Sequence, residues 1–127
     1  MGSVPDPVRR LLGWRDVIRG IRPAGQVLLY RGHRPGGVFV LLSGSVLFER
    51  GAGELKSLRE VGVPEGGAVL LPLPTELDVE SPVQITVATE VDLVFVPGTL
   101  IESDEQIARA LDSRELRREG LRGPRAG

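Results

Sequence analysis

The chain has 127 residues, 41% of them hydrophobic, with 16 basic against 17 acidic side chains and no cysteine. That length predicts one domain able to bury roughly two thirds of its unfolded surface around a core of its own. Without cysteine there are no disulfides, thiolate metal sites or cysteine nucleophiles; without an apolar run of about 18 residues or a charged-then-apolar start, the expectation is a soluble, cytoplasmic protein with no membrane contact.

Near the start, Asp6 and Pro7 make a helix opening, a capping carboxylate followed by a proline where a missing N–H costs nothing. Val8, Leu11, Leu12 and Ile18 follow at helical spacing, which predicts an amphipathic helix over 7–19 anchored by Trp14 and Val17. Residues 1–3 are set aside.

From Val27 onward the text changes to short apolar or alternating runs punctuated by Gly, Pro and Ser: 27–31, 38–42, 45–50, 55–61, 68–71, 76–79, 83–88 and 92–96. This rhythm predicts an antiparallel sandwich, roll or barrel over 24–97. Ser43, Gly44 and Ser45 read as a tight turn joining two strands. Beyond Pro97, Ser103 as cap with Gln106 three residues on, and acids at 104 and 105, predict a helix over 103–118. Ile107, Ala108 and Leu111 form its apolar face; Arg114, Arg117 and Arg118 lie late, and Gly120 reads as its stop. Residues 120–127 read as a frayed tail.

Charge is unevenly distributed. Residues 1–59 carry 10 basic and 4 acidic side chains, 60–108 carry none and 10, and 109–127 carry 6 and 3. Between Arg59 and Arg109 an anionic ligand or a nucleic-acid backbone would meet no local counter-charge.

Pro23, Gly25, Arg31-Gly32, the apolar run Val38 to Leu42, Ser43-Gly44, Pro64-Glu65-Gly66, and Val87-Ala88 leading to Leu93–Pro97 together resemble a cyclic-nucleotide-binding domain over about 21–111. The resemblance implies a mainly β fold, an antiparallel β-roll or jelly roll related to the cupin double-stranded β-helix, with short flanking helices. It also implies a phosphate cassette: an aromatic-Gly-Glu turn opening a short helix, then an Arg-Ser/Thr-Ala run. Here those positions hold Val69, Leu70 and Leu71, and then Pro82 ahead of Val83, so the glycine, the Glu and the Arg are absent. Gly66 and Gly67 could present N–H groups to an anion. These seven residues are the candidate, degenerate ligand site; Leu70 and Leu71 read more simply as core.

His33 is the only histidine, which excludes a cupin-type metal centre needing several. Acid pairs such as Glu76 with Asp78, or Asp104 with Glu105, read as solvated loop and helix cap. No nucleophile elbow, P-loop or dinucleotide fingerprint is present. The sequence therefore predicts no catalysis, cofactor or metal. A non-catalytic regulatory or interaction module that does not bind cyclic AMP or cyclic GMP is the leading expectation; a small-molecule-responsive sensor with an altered pocket and a metal-free cupin-like protein are the alternatives. In the resembled family the helices after the roll pair, which implies a homodimer or protein partner met through Ile107 and Leu111. Direct nucleic-acid binding is not expected, because too few residues follow 120 for a helix-turn-helix.

Overall fold

In the computed structural model, which describes residues 4–51 and 53–122, α1 spans Asp6–Leu11 and ends at Leu12, well short of the expected 7–19. Pro5 rather than Asp6 is its N-cap, and Asp6 occupies the first turn, ion-paired with Arg9. Residues 13–17 turn the chain into a strand the periodicity concealed, β1 Ile18–Arg22, which pairs antiparallel with residues 91–95. Ile18, assigned to the helix stripe, is 59% exposed on this edge strand. Backbone pairing overrides a helix-like spacing of apolar residues here, because Gly13 and Gly20 weaken a helix through both positions.

Two long strands carry the fold. After β2 Val27–Leu29 come β3 Gly37–Arg50 and later β6 Val83–Pro97, which pair with each other from Gly37↔Pro97 to Arg50↔Val83. Ser43-Gly44-Ser45 is therefore no turn but an irregularity inside one strand, where the register shifts three times between Leu41 and Val46. The bend lets one end of β3 pair with β4 Ser57–Gly62 and the other with β5 Ala68–Leu71. Gly44 has φ +89, and a side chain there would overlap the Glu90 carbonyl oxygen, so only glycine permits this bend. The run 83–88 and 92–96 is likewise one strand, and 76–79 is not a strand: a 3₁₀ turn at Pro74–Glu76 opens the connection to β6.

The C-terminal region is broken into α2 Gly98–Ser103, α3 Glu105–Leu111 and β7 Leu116–Arg118. Asp104, not Ser103, caps α3, its Oδ1 accepting from the N–H groups of Gln106 at 2.9 Å and Ile107 at 3.4 Å. The predicted helix 103–118 thus ends at Leu111, and Arg117 and Arg118 sit in a strand rather than a last helical turn. The strands within 24–97 pair antiparallel as expected, and β7, outside that range, adds a parallel pair with β5, so the whole sheet is mixed. Gly120 stops no helix, and Leu121, expected in a frayed tail, is buried; residues 123–127 and 1–3 of the sequence reading lie outside the described residues.

Alternation along the strands sorts side chains into two cores. Val38, Val40, Leu70, Val94 and Val96 meet Val8, Leu11, Ile107, Ala110 and Leu111 between the roll and its helices. Leu41, Val46, Phe48, Val69, Leu71, Ile85, Val87, Val91 and Leu93 line the inside of the roll.

Candidate functional site at the mouth of the roll

β5 is covered on both faces and paired on both edges. Leu70 points to the helices, Val69 and Leu71 point into the roll, and β3 and β7 take the two sides. All three residues are 0% exposed. The positions where the resemblance implies a phosphate cradle are thus core in both directions, and their backbone N–H groups are not displayed to a ligand.

The other candidates are not brought together. Gly66, at φ +76, forms with Gly67 the exposed turn before β5, and the Gly67 N–H donates to the Pro64 carbonyl at 2.9 Å. This turn borders hollows with Val4, Pro5 and Arg9, whereas Pro82 borders a separate cleft with Thr75 and Glu76. Val83 is buried inside the roll. Beside it the Ser81 hydroxyl donates to the Val83 carbonyl at 2.6 Å and accepts from the Val83 N–H at 3.2 Å, closing the loop on itself. His33 is exposed in a turn near Tyr30, with ring centroids 5.6 Å apart. Ile107 and Leu111, expected to face a partner, are 0% and 1% exposed because they pack on their own roll.

A cleft of about 750 Å³ opens between Leu73, Thr75, Glu76, Val79 and Pro82 on one wall and the segment Arg117 to Arg122 on the other. That segment enters the roll. The Glu119 N–H continues the β7 pairing by donating to the Leu70 carbonyl at 2.9 Å. Leu121 is 1% exposed and joins the inner core beside Leu71, Val83 and Ile85. Its N–H donates to both oxygens of the Glu76 carboxylate at 3.1 Å, and its carbonyl accepts from Arg50 Nη2 at 2.7 Å. Glu76 also accepts from the Leu73 N–H at 2.9 Å, so one carboxylate fixes the 3₁₀ turn and the C-terminal segment together.

The Glu119 carboxylate, 10% exposed, is held by Arg59 Nη1 at 3.0 Å and Arg117 Nη2 at 3.2 Å. Arg59 lies over the Phe48 ring, 4.8 Å from its centroid, in cation–π geometry. Its Nη2 is buried with no hydrogen-bond partner among the described residues. Arg50, Arg59, Glu76, Glu119 and Leu121 are the functional candidates that sequence reasoning missed. The available signal was Leu116 and Leu121 flanking an acid in a stretch otherwise basic, a spacing that fits neither a helix face nor a loop.

No protein-family model and no curated protein matches the chain. Solved structures do. The Thermus thermophilus catabolite activator protein superposes with a TM-score of 0.58 at 20% identity over 87% of this chain and 53% of that one. A cyclic nucleotide-binding domain from Methylobacillus flagellatus gives 0.58 at 16% identity over 84% and 60%. A cyclic nucleotide-binding-like protein from Brucella abortus gives 0.56 at 16% identity over 87% and 86%. This chain therefore spans about half the length of the Thermus protein. Two bent central strands, the inner core and these superpositions agree: the chain has the β-roll fold of cyclic-nucleotide-binding domains.

Proposed function

We propose that this domain is a non-catalytic regulatory module that acts through protein contacts and does not take up cyclic AMP or cyclic GMP. The observation that carries the reading is β5: Val69, Leu70 and Leu71 are buried on both faces where a phosphate cradle would stand. The two guanidinium groups at the mouth, Arg50 and Arg59, are engaged by the chain's own Leu121 carbonyl and Glu119 carboxylate. Each charge-assisted hydrogen bond to a phosphate contributes about 1.5–3 kcal/mol. Lacking the Arg and the Glu of the cassette therefore costs roughly two to four decades in affinity, at about 1.4 kcal/mol per decade.

Calorimetric titration with both cyclic nucleotides tests it. No saturable heat at micromolar ligand is the expected result; a dissociation constant in the low micromolar range would overturn the reading.

The cleft beside Pro82 favours a second reading, a sensor for a neutral or weakly anionic small molecule, because it is lined by Arg122 together with Arg117 and Arg118, which are already paired with Glu119 and Asp112. A thermal-shift panel of metabolites separates the two, since a specific ligand raises the melting temperature by mass action.

A further inference from the structure

We propose that the mouth of the roll is a recognition site for an extended peptide carrying an acidic residue two positions before a leucine, presented by a partner protein, and that residues 116–122 fill this site in cis. The proposal deepens the reading of the domain as a protein-contact module and rests on it.

The occupant defines the chemistry. Residues Leu116–Arg118 add a parallel strand to the edge of β5, in register from Ala68↔Leu116 to Leu70↔Arg118. Edge addition recognises any extended backbone, and selectivity comes from the side chains that follow. Two do so here. The Glu119 carboxylate meets Arg59, and the Leu121 side chain enters the inner core. Between them Gly120 passes against Leu73 and Glu76 so closely that a side chain would come within 3.2 Å of Leu73 Cδ1. The site thus reads backbone, carboxylate and leucine in order.

The cis occupant satisfies this site incompletely. Arg59 uses one nitrogen on Glu119, and its buried Nη2 has no acceptor among the described residues. The second Glu119 oxygen is held by Arg117 of the same segment. A peptide without a basic residue at the Arg117 position leaves both oxygens free for the guanidinium, and a two-point Arg–carboxylate pair is stronger and more directional than a one-point contact. Beyond β7 the described residues 119–122 have no regular structure, and Leu121 is their one buried apolar side chain. A competing strand displaces the segment by replacing the ladder residues with their buried Leu116, the Glu119–Arg59 pair, and the Leu121 side chain with its backbone contacts to Glu76 and Arg50.

Fluorescence anisotropy with two labelled peptides, one copying Arg114–Arg122 and one with Ala in place of Arg117, tests this on the full chain. Expected results are binding of the Ala peptide at least about fivefold tighter than the copy, and binding of both strengthened at least tenfold by Leu121→Ala in the protein, because truncating a buried leucine weakens the cis occupant. Adding Arg59→Gln should cancel that gain. Equal, weak binding to wild type and to a Leu121→Ala protein that still melts cooperatively would overturn the proposal. If Leu121→Ala does not fold, amide exchange on the wild-type chain decides: Glu119 and Leu121 amides opening together with β5 would overturn it, and opening well before β5 would support it. A Leu121→Ala chain that dimerises without peptide would assign the site to exchange between copies and overturn the partner reading. None of these outcomes depends on cyclic nucleotide, so failure here and failure of the non-binding reading are distinguishable.

Discussion

Trp14 Nε1 donates to Asp104 Oδ2 at 2.9 Å, joining the turn after α1 to the cap of α3 across 90 residues of sequence. The same carboxylate caps α3 through its other oxygen. Replacing Asp104 with Ala removes a cap worth about 1 kcal/mol and a hydrogen bond worth about as much. A loss of about 2 kcal/mol and a fall in Tm of roughly 6–10 °C are expected. Asp104→Asn keeps the cap through its one carbonyl oxygen but turns an NH2 group, which cannot accept, toward Trp14 Nε1, and should lose about half as much. Trp14 is the only tryptophan, so its fluorescence follows the contact directly during a urea titration.

Gly44 and Gly25 both have positive φ, +89 and +94, but their surroundings differ. A side chain on Gly25 meets nothing within 4 Å, whereas one on Gly44 collides with Glu90 and lies 2.8 Å from Val91 Cγ1. Gly25→Ala should therefore cost only the left-handed backbone penalty of about 1–2 kcal/mol. Gly44→Ala should cost at least about 3 kcal/mol, because strain and overlap add and the β3–β6 bend cannot relax without breaking its ladder. Denaturant midpoints of the two variants measure the difference.

How much of this was legible in the sequence follows from the range of the interactions. The apolar runs Val38–Leu41 and Leu93–Val96 are local signals, and they marked strands and core correctly. Ser43-Gly44-Ser45 carries turn chemistry yet sits mid-strand, because a positive-φ glycine serves a bulge as well as a turn and only the partner at Glu90 decides between them. Ile18 matched a helical stripe, and its pairing with Phe95 was invisible locally. Leu70 and Leu71 read as core from composition alone. Arg59 with Glu119 and Arg50 with Leu121 lie 60 and 71 residues apart, so the Leu116–Leu121 pattern marked one side of the contact but nothing local named its partners.

Leu111 is 1% exposed and packs among Val8, Leu11 and Ile107. Leu111→Asp places an unpaired carboxylate in that core, and a cost of about 4 kcal/mol or more is expected. The variant should lose its cooperative far-UV transition before any change in association state is seen. A folded Leu111→Asp monomer derived from a wild-type dimer would instead show that this side chain faces a partner.

Arg59–Glu119 and Arg109–Glu105 are both ion pairs, at 3.0 and 3.4 Å, but the second is exposed at 77% and 82% while the first shields its carboxylate to 10%. Exposed i,i+4 pairs contribute about 0.3–0.5 kcal/mol and are screened by salt. The Arg59–Glu119 pair works in a lower dielectric, with Phe48 beneath the guanidinium, and removing either partner leaves the other charge poorly solvated. A double-mutant cycle to Ala should give a coupling of about 1–2 kcal/mol for Arg59–Glu119 that persists in 1 M salt. The cycle for Arg109–Glu105 should fall below about 0.5 kcal/mol and vanish there. Equal couplings in urea unfolding at low salt would mean that Glu119 is as hydrated as Glu105, and would remove the physical basis for treating the mouth of the roll as a carboxylate site.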